Sequence, residues 1–431
     1  MKVNIQKFLR FFPYLNLYLL SLFAVLGISC TRNSSSLQPK DYLLITHSAL
    51  NRITIFDMAT NKIVGALPTH KLPHDMLLSN DKVLFVVNSG AQCFTTYDLK
   101  NSAFWNYAQE FIKKDSANLY RQKLPSSNMI GGNSTAEKLT YKDSAAWTNL
   151  NRDPVQSLPS SFAHTYLTDS RFPDAAKPMH EKVNALSHTA CYDCHDRSRG
   201  AKPFGLTYSA DSTEIFVVHL RSREITFFDS KTLTIKRQIP LSLPVQYSPI
   251  EAWISRDEKT CFVTCRNEIG ESKPGLILVI NMTDGTLLKS ITAGIYPWHL
   301  MADASGKKLY INNFQSSRIS IVDVAKREII DSLIVQNGPA MMKILPDQKM
   351  LVVSCFYTDK VLFVDLASKQ IKKIIDVDSN PTSLEFSSDE STMYVLCGGE
   401  SSLNIINVAK GTVEERHKML FGAYAFLSVH N

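Results

Sequence analysis

Residues 297–339 read PWHLMADASGKKLYINNFQSSRISIVDVAKREIIDSLIVQNGP. Two short runs rich in branched apolar residues, Leu309–Asn313 and Ile319–Asp323, are separated by a polar turn. A third segment, Glu328–Leu333, leads through Gly338-Pro339 into Met341–Leu345. Apolar runs of this length bounded by turn residues read as strands. The pattern then recurs: Pro297, Pro339 and Pro381 are 42 residues apart, Leu309, Leu351 and Met393 keep the same step, and so do Asp323, Asp365 and Asn407.

Working outward, the matching strand pairs are Leu351–Cys355 with Val361–Asp365 and Met393–Cys397 with Leu403–Asn407. Upstream lie Cys261–Cys265 with Ile277–Asn281, Ile215–His219 with Ile225–Asp229, Leu84–Asn88 with Phe94–Asp98, and Leu43–His47 with Ile53–Asp57. Seven copies of a unit that holds four strands in about 40 to 45 residues predict an all-β fold, a seven-bladed β-propeller with an irregular or helical insertion. The first copy starts directly with its second strand, whereas Gly422–Val429 is a strand without a blade of its own. Pairing that last strand with the first blade would close the ring and remove two exposed edges. The units Leu309–Pro339 and Leu351–Pro381, with their Leu-Tyr-Ile-Asn-Asn and Ile-Ser-Ile-Val-Asp runs before Gly-Pro, resemble the YVTN-type β-propeller repeat family. That resemblance covers 42–98 and 203–430 and implies the fold, not an activity.

One connection is out of proportion. The step from Asp323 to Pro339 takes 16 residues, but the equivalent step from Asp98 to Pro203 takes 105. About 89 added residues in one link point to a functional insertion. Ala103–Phe111 is expected to supply the outer strand of the interrupted blade, which would put the insertion in the link to the next one. A helix is expected over Pro178–His188, just before Cys191-Tyr-Asp-Cys194-His195. Cys-x-x-Cys-His is the c-type haem attachment pattern, in which two thiols form thioethers to the haem vinyl groups and the adjacent imidazole binds iron. The expected cofactor is therefore covalent haem c on Cys191 and Cys194, with His195 as the proximal ligand. A sixth ligand is expected upstream, at Met179 or His180, because His188 is too close to Cys191 to cross the haem plane. The alternatives are a Cys191–Cys194 disulfide or redox dithiol, and a zinc site completed by His188 or His180. The remaining cysteines, Cys93, Cys261, Cys265, Cys355 and Cys397, read as buried free thiols, since equivalent positions on neighbouring blades are too far apart to bond.

At the N-terminus, Lys2, Lys7 and Arg10 precede an apolar run, Phe11–Ile28, and then Ser29-Cys30. Residues 1–30 resemble a lipoprotein signal peptide with Cys30 as the lipidated residue; an uncleaved anchor helix is the alternative. Residues 31–41 read as a tether, 42–98 and 203–431 as the two parts of the propeller, and 99–202 as the inserted segment. The 431 residues are 44% hydrophobic and 20% charged, which suits a globular chain, and the net charge of +7 is spread along it without a basic stripe that would suit nucleic acid. No nucleophile-base order, phosphate loop or dinucleotide fingerprint is recognisable.

Residues after each landmark proline should line the central channel, so His74, Trp298 and His299 form a candidate pocket at its mouth; side chains that merely fill the axis are the alternative. The expected function is a membrane-tethered haem c protein of the cell envelope, facing the periplasm or exterior. It would act as electron carrier or oxidoreductase towards a redox partner protein or a small molecule. This resembles exported propellers that carry c-type haem, haem-containing nitrite reductases among them. Here, however, the motif ends only eight residues before Pro203, too few for an ordinary cytochrome domain. The competing expectation is a non-catalytic surface binding propeller whose Cys-x-x-Cys-His segment is a disulfide or metal staple.

Overall fold

Turn chemistry explains the repeat. Asp323, Asp365 and Asn407 each end a strand, and each side-chain Oδ1 accepts a backbone N–H three residues on, from Lys326 at 2.8 Å, Ser368 at 2.6 Å and Lys410 at 3.0 Å. The next residue adopts a left-handed backbone, at Arg327, Lys369 and Gly411, and the chain reverses. A computed structural model describes residues 41–69, 72–89, 93–100, 104–106, 108–110, 112–113, 163–166, 203–209, 211–232, 234–269, 272–420 and 422–430.

Among the described residues the strands form seven four-stranded antiparallel sheets. Blade 1 holds β1 (Tyr42–His47), β2 (Arg52–Asp57) and β3 (Lys62–Pro68), and blade 2 holds β4 (Pro73–Leu78), β5 (Val83–Asn88), β6 (Cys93–Asp98) and β7 (Ala163–Tyr166). Blade 3 runs through β8 (Pro203–Tyr208), β9 (Glu214–His219), β10 (Glu224–Asp229) and β11 (Ile235–Pro240). Blade 4 runs through β12 (Tyr247–Ile254), β13 (Thr260–Asn267), β14 (Pro274–Asn281) and β15 (Leu287–Ile295). Blade 5 has β16 (Pro297–Ala302), β17 (Lys308–Asn313), β18 (Arg318–Asp323) and β19 (Glu328–Ile334). Blade 6 has β20 (Pro339–Ile344), β21 (Met350–Cys355), β22 (Lys360–Asp365) and β23 (Ile371–Asp376). Blade 7 has β24 (Pro381–Phe386), β25 (Thr392–Cys397), β26 (Ser402–Asn407) and β27 (Thr412–Lys418), after which β28 (Ala423–Val429) pairs with β1, Tyr42 opposite Val429. The expected closure of the ring is therefore present, and the inner strands β28, β4, β8, β12, β16, β20 and β24 touch in cyclic order.

The side-chain period of two distributes each middle strand between two interfaces. On β21, Leu351, Val353 and Cys355 pack with Tyr310, Ile319 and Leu333 of blade 5, while Val352 packs with Met393, Val395 and Ile406 of blade 7. Strands sandwiched in this way bury both faces, which is why they read as unbroken apolar runs. The closing seam is the same kind of core, Leu43, Ile45 and Phe56 against Tyr394, Leu396 and Leu403. The outer edge is charged, as in Thr412-Val-Glu-Glu-Arg-His-Lys418, where an apolar strand would invite edge pairing.

Six inner strands carry a proline at one end: Pro73, Pro203, Pro249, Pro297, Pro339 and Pro381 lie in register with Asn88, His219, Cys265, Asn313, Cys355 and Cys397. We call this end of the ring the proline face. The interrupted blade differs from expectation here. Its outer strand is β7, paired with β6 so that Cys93 faces Tyr166 and Thr96 faces Ala163, and not Ala103–Phe111. Residues 104–106 and 108–110 are helical instead, because Phe104 and Ala108, one helical turn apart, together with Trp105 are buried. Trp105 stacks 5.1 Å from Tyr42, Phe104 lies 6.0 Å from Tyr97, and the Trp105 indole N–H reaches the Leu99 carbonyl at 2.8 Å. The insertion is thus two connections: 99–162 joins β6 to β7 at the opposite end of the ring, and 167–202 joins Tyr166 to Pro203, both on the proline face.

Cys30, Met179, His180, His188, Cys191, Cys194, His195 and the expected helix Pro178–His188 lie outside the described residues. Among the described residues no helix is long and apolar enough to cross a membrane, and no group of three or more His, Cys, Asp or Glu is arranged to hold a metal ion. Cys261, Cys265, Cys355 and Cys397 are buried free thiols.

Candidate functional site

On β4, β8 and β16 the residue after the landmark proline sits at the mouth of the channel and the next one lies a step deeper. At the mouth this yields His74, Phe204, Trp298 and, from β28, Tyr424, so two of the three candidate pocket residues fall in one aromatic cluster. The His74 ring lies 3.8 Å from Phe204 and 4.6 Å from Tyr424, and Phe204 lies 5.6 Å from Trp298. Rings this close pack directly on one another. From Trp298 the cluster continues outward over the proline face to Tyr296 at 5.4 Å and Phe314 at 5.8 Å. Phe314 in turn contacts Phe356 at 5.4 Å and the exposed Tyr357 at 5.3 Å. Arg266 caps this platform: its guanidinium sits 5.2 Å from the centre of the Tyr296 ring, donates to the Tyr296 hydroxyl, and pairs with Glu268 at 2.8 Å.

Tyr296 shares an unusual backbone with Leu72, which precedes Pro73 with φ 53°. Tyr296 itself precedes Pro297 with φ 55°, a left-handed conformation that Gly338 and Asn380 occupy before Pro339 and Pro381. Glycine and asparagine tolerate that region well, whereas a tyrosine there costs energy and is held by its surroundings.

One step deeper stand Asp75, Gly205, Glu251 and His299. Asp75 accepts the N–H of Met76 at 2.8 Å and that of Leu206 on the next blade at 3.1 Å. Glu251 does the equivalent from blade 4 to blade 5, accepting Leu300 N–H at 3.2 Å and holding His299 Nδ1 at 3.0 Å. The His299 backbone N–H is fixed in turn by Asn312 Oδ1 at 2.6 Å. Blade 3 can press against Glu251 because Gly205 lacks a side chain: a Cβ there would lie 2.8 Å from the Ile250 carbonyl. On the other side of the axis Lys343 pairs with Glu385 at 2.7 Å, and the Ser428 hydroxyl donates to Glu385 at 3.3 Å.

This enclosure changes the acid–base behaviour of its members. Burial, reinforced by the Glu251 carboxylate, pushes the Asp75 carboxyl up to about 7, against the pull of the two N–H donors and of His299. For His299, burial works downward, but the charge and hydrogen bond of Glu251 outweigh it and the imidazole is raised above its ordinary value. Tyr424 is raised by burial and by neighbouring Tyr296, Asp75 and Glu251, so its hydroxyl stays neutral. The axis therefore holds a carboxyl and an imidazole that both bind a proton more tightly than usual, behind an aromatic mouth.

His299, expected with His74 and Trp298, pairs with Glu251 at 3.0 Å. Asp75, Glu251, Tyr296, Phe314 and Tyr424 are absent from the sequence expectation. A signal existed for the two carboxylates: each stands two residues after a strand proline, Pro73 and Pro249, as His299 stands two after Pro297.

No family model and no curated protein matches this chain. Solved structures do match. A functionally unknown protein from Desulfotomaculum acetoxidans is 10% identical, with 90% of this chain and 99% of that one covered at a TM-score of 0.56. The dihydro-haem d1 dehydrogenase NirN, solved in complex with DHE, is 10% identical at a TM-score of 0.50, with 88% of this chain but only 64% of that one covered. Hydrazine synthase from Kuenenia stuttgartiensis aligns over 51% of this chain and 67% of its own, at 21% identity and a TM-score of 0.42. At such identities the likeness shows the propeller fold alone.

Proposed function

We propose that this chain is a membrane-tethered, extracytoplasmic haem c protein with an electron-transfer or redox role, built on the propeller. In this reading Cys191 and Cys194 hold the haem through thioethers, His195 is the proximal ligand, Met179 or His180 supplies the sixth, and lipidated Cys30 tethers the protein. A haem so held supplies a one-electron couple whose potential depends on that sixth ligand.

One observation carries the reading: the connection that bears Cys191-x-x-Cys194-His195 starts at Tyr166 and ends at Pro203, both on the proline face, where the aromatic platform lies. Pro203 lies eight positions after His195, at most about 29 Å of extended chain. A haem on that motif stays within reach of Phe204, Trp298, Tyr296 and Phe314, whose apolar rings suit a porphyrin's faces, and of Arg266, whose charge suits a propionate. The ring thereby acts as a rigid support at the haem's edge and as a surface that a partner can recognise.

The test is expression of the full chain with a cytochrome maturation system, followed by haem staining of a denaturing gel and a pyridine haemochrome spectrum. Haem that survives denaturation and is lost in Cys191→Ala and Cys194→Ala is expected. A chain that matures without covalent haem would instead support the binding propeller with a cysteine staple. Fractionation of Cys30→Ala tests the tether, which predicts release from the membrane fraction.

A further inference from the structure

Asp75 and Glu251 occupy equivalent places on blades 2 and 4, and each reaches across to a backbone N–H of the following blade, Leu206 at 3.1 Å and Leu300 at 3.2 Å. Between them Gly205 brings blade 3 against blade 4, where its absent Cβ would lie 3.2 Å from the Glu251 Cα. Two carboxyl groups therefore bridge blade 2 to blade 3 and blade 4 to blade 5, blades 3 and 4 meet at Gly205, and the charge of Glu251 raises the proton affinity of Asp75.

We propose that Asp75, Glu251 and His299 form a pH-sensitive clamp on the ring axis: while Asp75 holds a proton, the two carboxyl groups that bridge neighbouring blades sit together without repulsion, and with that proton lost they repel and the axis loosens. The proposal stands on described residues of the ring and is independent of the haem reading.

The charges around the clamp come from every packed inner strand. His299 on β16 faces Glu251 and favours ionised Asp75, while Lys343 on β20 opposes the charge on His299 and is itself paired with Glu385 on β24. On β28 Tyr424 stays neutral, and on β13 Arg266 is committed to Tyr296 and Glu268. His74, beside Asp75 on β4, stacks on Phe204 and Tyr424. His47 on β1 is held by the Leu420 carbonyl and the Thr54 hydroxyl, and on β9 Glu214 pairs with Lys236 and Arg237. Tyr208, further along β8, belongs with Ser79 and Asp81.

The sign follows from linkage. An unfolded aspartate ionises near about 4, whereas Asp75 in the ring does so at about 7. Between those values the folded ring holds a proton that the unfolded chain has lost, so stability falls as pH rises, then levels off above neutrality. His299 works in the same direction: its raised affinity for a proton stabilises the ring below the unfolded value and is lost as pH rises through the folded one.

Equilibrium unfolding of the full chain and of Asp75→Asn, measured from about pH 5 to about pH 7, tests this. The parent's unfolding constant should rise more steeply with pH than that of the variant, by up to about tenfold per pH unit for one proton. Equal slopes overturn the clamp. Infrared difference spectra of the unmodified protein give a reading that needs no variant: a carboxylic-acid C=O band should be present at about pH 6 and vanish by about pH 8.5, and its absence at the lower pH also overturns the proposal. In Glu251→Gln the same band should titrate at lower pH, because the repelling charge is gone; a band that does not move refutes the coupling.

Discussion

At the scale of single residues, the same register position carries different chemistry in different blades. Cys265, Cys355 and Cys397 occupy the place filled by Asn88, His219 and Asn313 elsewhere, where each packs between blades. Burial pushes the Cys261 and Cys355 thiols up to about 12, and those of Cys265 and Cys397 upward as well. Neither thiolate formation nor access favours reaction, so all four should resist an aromatic disulfide reagent in the native protein at about pH 8 and react on denaturation; labelling of any of them before unfolding would contradict this packing. Gly205 is the counterpart, a position that admits no side chain at all. Gly205→Ala should cost about 1–3 kcal/mol, read as a lowered unfolding midpoint, because its neighbour is a backbone carbonyl at 2.8 Å. Gly398→Ala serves as the control, since its new Cβ would first meet a side-chain methyl of Thr382 at 3.3 Å and should cost less.

Among the elements, β28 has the largest structural consequence for its length. It pairs with β1, exchanges two hydrogen bonds between Ala425 and the Thr46 hydroxyl at 3.2 and 3.1 Å, and places Ala423 and Phe426 in the seam between blades 7 and 1. Deleting 423–431 would leave that seam open and two sheet edges unpaired. The expected outcome is loss of the cooperative transition for the whole ring, not fraying of one blade. Phe426→Ala is the gentler probe: the side chain is 7% exposed, and its removal should cost about 3–5 kcal/mol in denaturant unfolding. A truncated chain that melts like its parent would rule out closure by this strand. The strand β7 shows the opposite case, an element of four residues that only its partner β6 identifies.

For the whole molecule, the division of labour between ring and connection leads to a further expectation. The seven four-stranded sheets are complete within the described residues, and Cys191, Cys194 and His195 lie outside those residues. Cys191→Ser with Cys194→Ser should therefore abolish covalent haem while leaving the unfolding midpoint of the haem-free ring within about 1 kcal/mol of its parent. A collapse of the ring in that double variant would show that the connection is a structural staple instead.

The 42-residue repeat was legible in the sequence because its causes are local: a side-chain oxygen that closes the turns after Asp323, Asp365 and Asn407, a proline at or near the start of six inner strands, and apolar runs long enough for one buried strand. Closure was legible too, since an unpaired first strand and a spare last one leave a single way to satisfy both edges. The Cys-x-x-Cys-His motif is likewise contiguous in the chain and needs no fold to be noticed. What only the tertiary structure decided are features made by residues far apart in sequence. Phe104, Trp105 and Ala108 looked like an outer strand, but the space over Tyr42, Tyr97 and Gly65 takes a helical turn, and the strand came from Ala163–Tyr166. The same holds for Asp75 and Glu251, 176 residues apart, whose repulsion and shared setting arise because the ring brings their strands to one axis. A carboxylate's proton affinity depends on what surrounds it, and in this protein those surroundings are other blades.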